Sequence, residues 1–183
     1  MSGSTSSVGK SYIGLQAAAI AQKKGKRILI FDSENAIDSE FARNLGLDVS
    51  KVKYFPVKSI EQCKNSMYAF LEFVRKQGMK GQFFILVDSL GAMMSEMDFK
   101  RLEDESDSAD MGSLARSMKS FIKMMTNMSA CTKTTIVCTN HIFDNPGQMF
   151  PSSEKNMRGG KSVKYFSSTV LQLSAVQVKE DDK

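Results

Sequence analysis

These 183 residues contain no tryptophan, three prolines, three cysteines and a single histidine, and each scarcity removes a class of protein from consideration. Cys63, Cys131 and Cys138 are odd in number and lack Cys-x-x-Cys spacing, so neither a disulfide framework nor a zinc ribbon is encoded. His141 by itself cannot form a metal centre. No apolar run reaches the length of a membrane span, and residues 1–10 show neither the basic start nor the apolar stretch of a secretory signal. An intracellular, cytoplasmic protein with buried free thiols is expected.

What is present is ordinary for one folded domain: 42% of residues are hydrophobic and 25% charged. The net charge of +5 suits a nucleic-acid partner only weakly, but its distribution says more. Glu103, Asp104, Glu105, Asp107 and Asp110 form an acidic block, whereas Lys155, Arg158, Lys161 and Lys164 cluster later.

Gly9-Lys10-Ser11 matches the end of the phosphate-loop pattern G-x-x-x-x-G-K-[ST]. There, backbone N–H groups cradle phosphates, the lysine reaches their oxygens and the hydroxyl holds Mg²⁺. Counting back places Ser4 at the first glycine position, with Gly3 one residue too early, and no strand precedes the loop. The following residues strengthen the reading. Residues 12–21 predict a small-residue-rich helix ended by Lys23-Lys24-Gly25, and 27–32 a short buried strand. Loop, helix and strand follow in nucleotide-binding order.

Further along, 36–45 reads as a short helix, 53–56 as a strand, and Ser59 with Gln62 as a capping box opening a helix that runs to Gly78. A strand is predicted over 82–88, a long polar segment over 95–110, a helix over 114–130 and a strand over 134–139. A second long loop covers 143–160, before a last strand over 169–176. This alternation predicts an α/β fold with a mostly parallel sheet between helices, its ligands at the carboxyl ends of the strands. Loops as long as these two are commonly functional.

Several polar residues fall at those carboxyl ends. Asp88 closes an apolar strand as a Mg²⁺-orienting aspartate does; in isolation it reads as a turn aspartate, and Lys10-Ser11 upstream tips the preference. Glu34 follows the neighbouring strand, where a carboxylate orients an attacking water, or stands as a solvated loop glutamate. His141, just past a strand, is a structural histidine or a sensor of the γ-phosphate. Phe143, Met149, Phe150, Lys155 and Arg158 offer stacking and phosphate contacts for single-stranded nucleic acid, and equally describe an ordinary surface loop.

At this point four segments carry a resemblance to a known family. They are Asp32-Ser33-Glu34-Asn35-Ala36-Ile37-Asp38 with Phe41-Ala42-Arg43-Asn44-Leu45-Gly46, then Leu86-Val87-Asp88-Ser89, then Asp110-Met111-Gly112 with Ala115-Arg116, and Gly159-Gly160-Lys161-Ser162-Val163-Lys164-Tyr165-Phe166. Over nearly the whole chain the sequence resembles RecA-family homologous recombinases, and Asn140-His141 looks like the phage-type members.

The resemblance implies a single RecA-like P-loop core over 1–183, with 95–112 and 143–161 as its two DNA-binding loops. It implies ATP and Mg²⁺ as cofactors, with Gly9, Lys10 and Ser11 on phosphate, Ser11 and Asp88 on Mg²⁺, and Asp38 and Phe41 against adenine. Glu34 would activate water and His141 would sense the γ-phosphate. Met111, Gly112, Phe143, Met149, Phe150, Lys155, Arg158, Gly159, Gly160 and Lys161 would contact single-stranded DNA. The implied protein is a DNA-dependent ATPase that forms filaments of its own copies, without a membrane, and promotes homologous pairing and strand exchange in recombination and repair. An incomplete nucleotide- and DNA-binding module without turnover, or another RecA-fold ATPase such as a helicase motor, are the alternatives. The family's segment before the P-loop and its later C-terminal region have no counterpart here, so a core truncated at both ends is expected.

Overall fold

The structure, a computed structural model, describes residues 8–104, 111–143, 156–157 and 161–174. Its centre is a parallel sheet of β1 (Arg27–Asp32), β2 (Val52–Pro56), β3 (Phe83–Asp88) and β4 (Thr135–Cys138), in the order β2-β1-β3-β4. Around it lie α1 (Lys10–Lys23), α2 (Ser39–Asn44), α3 (Ile60–Lys76), α4 (Glu96–Glu103), α5 (Met111–Thr132) and α6 (Lys161–Phe166). A separate antiparallel ribbon joins β5 (Ile142–Phe143) to β6 (Asn156–Met157). Among the described residues no helix is long and apolar enough to cross a membrane.

The central strands β1 and β3 are apolar and buried along nearly their whole length because both of their faces are covered, as in parallel sheets generally, whereas the edge strand β2 is largely exposed. Successive side chains point to opposite faces, which divides the core in two. Leu29, Phe31, Phe83, Ile85 and Val87 pack with Met67 and Leu71 of α3 and Met118 and Phe121 of α5. On the other face Ile28, Ile30, Phe84 and Leu86 meet Leu15, Ala18 and Ala19 of α1. The small residues of α1 permit a close approach: a Cβ added at Gly14 would lie 2.8 Å from Leu86 Cδ1.

The expected strands over 27–32, 53–56, 82–88 and 134–139 all form, to within a residue or two. Ser59 caps α3 by accepting from the Gln62 N–H at 3.0 Å, while the Gln62 side chain accepts from Lys58 N–H rather than closing a reciprocal box. The helix expected over 36–45 begins later, at Ser39, because Asp38 caps it and residues 34–37 wrap around Asp32.

Three expectations are corrected. The polar segment expected from residue 95 is helical over α4, since Ser95 and Asp98 form a capping box that starts it. Helix α6 stands where only a loop end was expected, its Val163 inserted into the core beside α5. The last strand does not form over residues 169–174. No ladder partner lies beside those residues among the described ones, and Val170 and Leu171 are exposed. A strand pattern without a neighbouring edge has nothing to bond its backbone to.

Candidate active site

Chain order and spatial order diverge between β1 and β3: β1 leads outward to β2 on one side, and β3 leads to β4 on the other. Beyond the carboxyl ends of strands at such a switch point lies the crevice where ligands bind in open α/β sheets. Register places Asp32 opposite Asp88 at this level, and Thr139 follows directly on β4. All three are buried.

The strand ends are stitched together by hydrogen bonds. Ser33 N–H donates to Asp88 O, Thr139 N–H to Val87 O, and Leu90 N–H to Thr139 O, at 2.8, 3.0 and 3.0 Å. Ser33 Oγ donates to Ser89 O at 2.7 Å and accepts from Ser89 N–H at 3.0 Å. The peptide joining Asp88 to Ser89 is cis. Thr139 Oγ1 donates to Asp88 Oδ1 in a buried bond.

Glu34 stands at the middle of this seam. Its Oε1 accepts from Ser89 Oγ at 2.6 Å and lies 2.9 Å from His141 Nε2. Partial burial pushes its carboxyl up, but the hydrogen bonds from Ser89 and His141, with the charges of His141 and Lys10, bring it below the ordinary glutamate value. It is therefore ionised at neutral pH. Both bonds fall on Oε1, and among the described residues none is made by Oε2, which can accept from a further donor. Residues 34, 10 and 141, far apart in sequence, are brought near one another here.

What holds Glu34 in place is a residue the sequence does not announce as part of the site. Asp32, fully buried, accepts from the N–H groups of Glu34 and Asn35 at 2.9 Å through Oδ1, and from Ile37 N–H at 3.2 Å through Oδ2. Tyr54 OH adds a fourth bond at 2.9 Å. This is an Asx-type turn whose acceptor is anchored in β1, and the run Asp-x-Glu-Asn was its available signal. Ser89 was likewise visible only as the residue after Asp88.

The start of α1 fits a phosphate. Gly9 has φ +83°, which favours glycine, and caps the helix without a side-chain bond, with no acidic residue in the first turn. A helix N-terminus in that condition presents backbone N–H groups to an anion, and Lys10 and Ser11 are its first two residues. Among the described residues no three His, Cys, Asp or Glu side chains gather as a metal cage. Ser11, second residue of α1, and Asp88, at the end of β3, carry the oxygens that could hold a cation such as Mg²⁺, which takes only one or two protein ligands.

Asp38 is occupied as the cap of α2, accepting from Glu40 and Phe41 N–H at 3.0 and 3.4 Å. Phe41 is exposed and its ring lies 6.3 Å from that of Tyr12, tilted by 45°. Tyr12, by sequence simply a residue of the first helix, is in the fold half of an aromatic pair two residues from Lys10.

Of the expected DNA contacts, Met111 and Gly112 open α5, Phe143 lies in β5 and Lys161 opens α6. Met149, Phe150, Lys155, Arg158, Gly159 and Gly160 lie outside the described residues. The ribbon pairs Ile142 with Met157 and Phe143 with Asn156, so it joins the two ends of the second loop directly after His141.

A family model described as the RecA N-terminal domain matches residues 2–183. Protein RecA of Chlorobium chlorochromatii is 30% identical over 178 residues, covering 97% of this chain and 48% of that protein. Protein RecA of a Nocardioides species is 30% identical over 176 residues, 96% of this chain and 47% of its own length. That of Mycoplasma genitalium is 28% identical over 175 residues, 96% and 48% respectively. The chain spans about half the length of these curated relatives. Because the family model matches nearly the whole sequence, the chain belongs to the RecA family.

Proposed function

We propose that this chain is the ATP-binding and ATP-hydrolysing core of a cytoplasmic homologous recombinase that works on single-stranded DNA as a filament of its own copies, in recombination and repair. The observation that carries the reading is Glu34, ionised and fixed on Oε1 by Ser89 and His141, with Lys10 close enough to act on its charge. A carboxylate held on one oxygen can use the other to orient and deprotonate a water. Lys10 and the first N–H groups of α1 bind the phosphates, and Tyr12 with Phe41 supplies an apolar face for the base. Mg²⁺, held by Ser11 and Asp88, would offset phosphate charge. His141 adjoins β5, so a change at the imidazole is felt at the base of the second loop, whose basic residues are the proposed DNA contacts.

The test is ATP turnover with and without single-stranded DNA, on this chain and on its Lys10→Ala and Glu34→Gln variants. DNA-stimulated turnover lowered at least about a hundredfold by each change supports the proposal. Turnover indifferent to DNA would assign the chain to another RecA-fold ATPase. Nucleotide and DNA binding without turnover would make it a binding module. Binding that weakens steeply with salt would locate the contacts on phosphates.

A further inference from the structure

We propose that Gly91 is a positioning residue for His141: the missing side chain at position 91 lets the imidazole seat against Glu34, so the two positions form one size-matched pair. The proposal rests on the hydrolytic reading of Glu34 and His141 given above.

Backbone conformation does not explain this glycine. Gly9, Gly25, Gly46, Gly78 and Gly81 have positive φ, and Gly91 does not. Space is what it supplies. A Cβ built at Gly91 would lie 2.5 Å from His141 Cδ2 and 3.1 Å from both His141 Cβ and Cγ. Rotation about χ1 relieves the ring contacts but leaves the third, because His141 Cβ is fixed to its backbone. A methyl group at position 91 therefore moves both the ring and the chain at residue 141.

Neither side can easily retreat. The segment that carries Gly91 is tied to β4 by Leu90 N–H on Thr139 O at 3.0 Å, and to β1 by the two Ser33–Ser89 bonds. His141 is held in turn by its own N–H on Asn140 Oδ1 at 2.9 Å and by entry into β5. The weakest restraint is the single contact between Nε2 and Glu34 Oε1, at a side chain only partly buried. Strain introduced at Gly91 is released there. Glu34 then keeps Ser89 and loses its second partner, while residue 141 pulls on β5.

His141 is the only histidine, so its imidazole gives one unambiguous signal in a carbon-correlated proton NMR spectrum of the whole chain. In the parent, Glu34→Gln should shift that signal. In Gly91→Ala the signal should already be displaced and should no longer respond to Glu34→Gln. An imidazole that keeps its parent position in Gly91→Ala, or still responds in full, overturns the proposal. If Gly91→Ala does not fold, the same change is made in His141→Ala, where two of the three close contacts are gone; folding there supports the proposal and failure there overturns it. In turnover, Gly91→Ala should lower kcat about tenfold with the KM for ATP nearly unchanged, the mark of a defect after binding. Lost kcat with the imidazole still coupled also overturns it. The NMR readout needs no nucleotide, so a chain without turnover that shows the decoupling retires the hydrolytic reading and leaves the positioning intact.

Discussion

Replacing Asp32 with asparagine keeps the shape of the side chain and changes only its bonding, so it tests whether this carboxylate holds the Glu34 turn. In the parent every bond is received: Glu34 and Asn35 N–H on Oδ1, Ile37 N–H and Tyr54 OH on Oδ2. With the amide oxygen in place of Oδ1, the NH₂ group faces Ile37 N–H, donor against donor. Tyr54 can turn its hydroxyl to accept, because it is both donor and acceptor. One backbone donor is then left without a partner, at a cost of about 1 kcal/mol, the low end because the turn is partly exposed. The two remaining backbone bonds lose their charge assistance, about 1 kcal/mol each. The expected loss is about 3 kcal/mol, a large share of a stability of roughly 5–15 kcal/mol. In urea denaturation with a slope of about 2 kcal/mol per molar, the midpoint falls by about 1.5 M. Asp32→Ala, which removes every acceptor, should fall further. A midpoint for Asp32→Asn within about 0.2 M of the parent, on that slope, would refute the reasoning.

Tyr54→Phe should cost about 1.5 kcal/mol near pH 8, the low end for a bond to a charged acceptor because the ring is half exposed. Burial, and then the bond to Asp32, raise the Tyr54 hydroxyl to about 12. A raised folded-state value means that its contribution is complete below the unfolded value of about 10 and is lost as pH climbs toward 12. Paired denaturation curves at pH 8 and 11 should show the gap between parent and variant narrowing; a gap that widens contradicts the assignment. Gly14→Ala gains about 1 kcal/mol of helix propensity but drives a methyl group into the fully buried Leu86, so thermal unfolding should show a net loss of about 1 kcal/mol; a stabilised variant would mean that α1 and β3 are more loosely packed than described. Thiol labelling at pH 8 should modify Cys131, exposed rather than buried as expected, quickly in the native chain, reach the half-buried Cys138, raised by burial to about 12, slowly, and spare the buried Cys63. Rapid reaction of all three thiols before unfolding would contradict that burial.

Much of the fold was legible because its signals are local. An apolar run such as Arg27–Asp32 bounded by turn residues announces a buried strand, and the α3 stripe of Cys63, Met67, Leu71 and Val74 announces a helix with one inward face. Residues 169–174 show the limit of this reasoning. Their pattern suits a strand, but strand formation depends on a neighbouring edge that no local pattern reports. Helix α4 was lost to its polar composition, although Ser95 and Asp98 carried a cap signal.

The sequence by itself determined the alternation of elements, the phosphate-suited start of α1, and the chemical types of Lys10, Glu34, Asp88 and His141. Each depends on a residue and its near neighbours in the chain. Only the tertiary structure decided that Glu34 shares its Oε1 between Ser89 and His141, that Asp32 holds the turn, and that Gly91 leaves room for an imidazole 50 positions away. Those contacts arise because parallel strands align their carboxyl ends whatever the length of chain between them, and register, not sequence distance, sets which side chains meet.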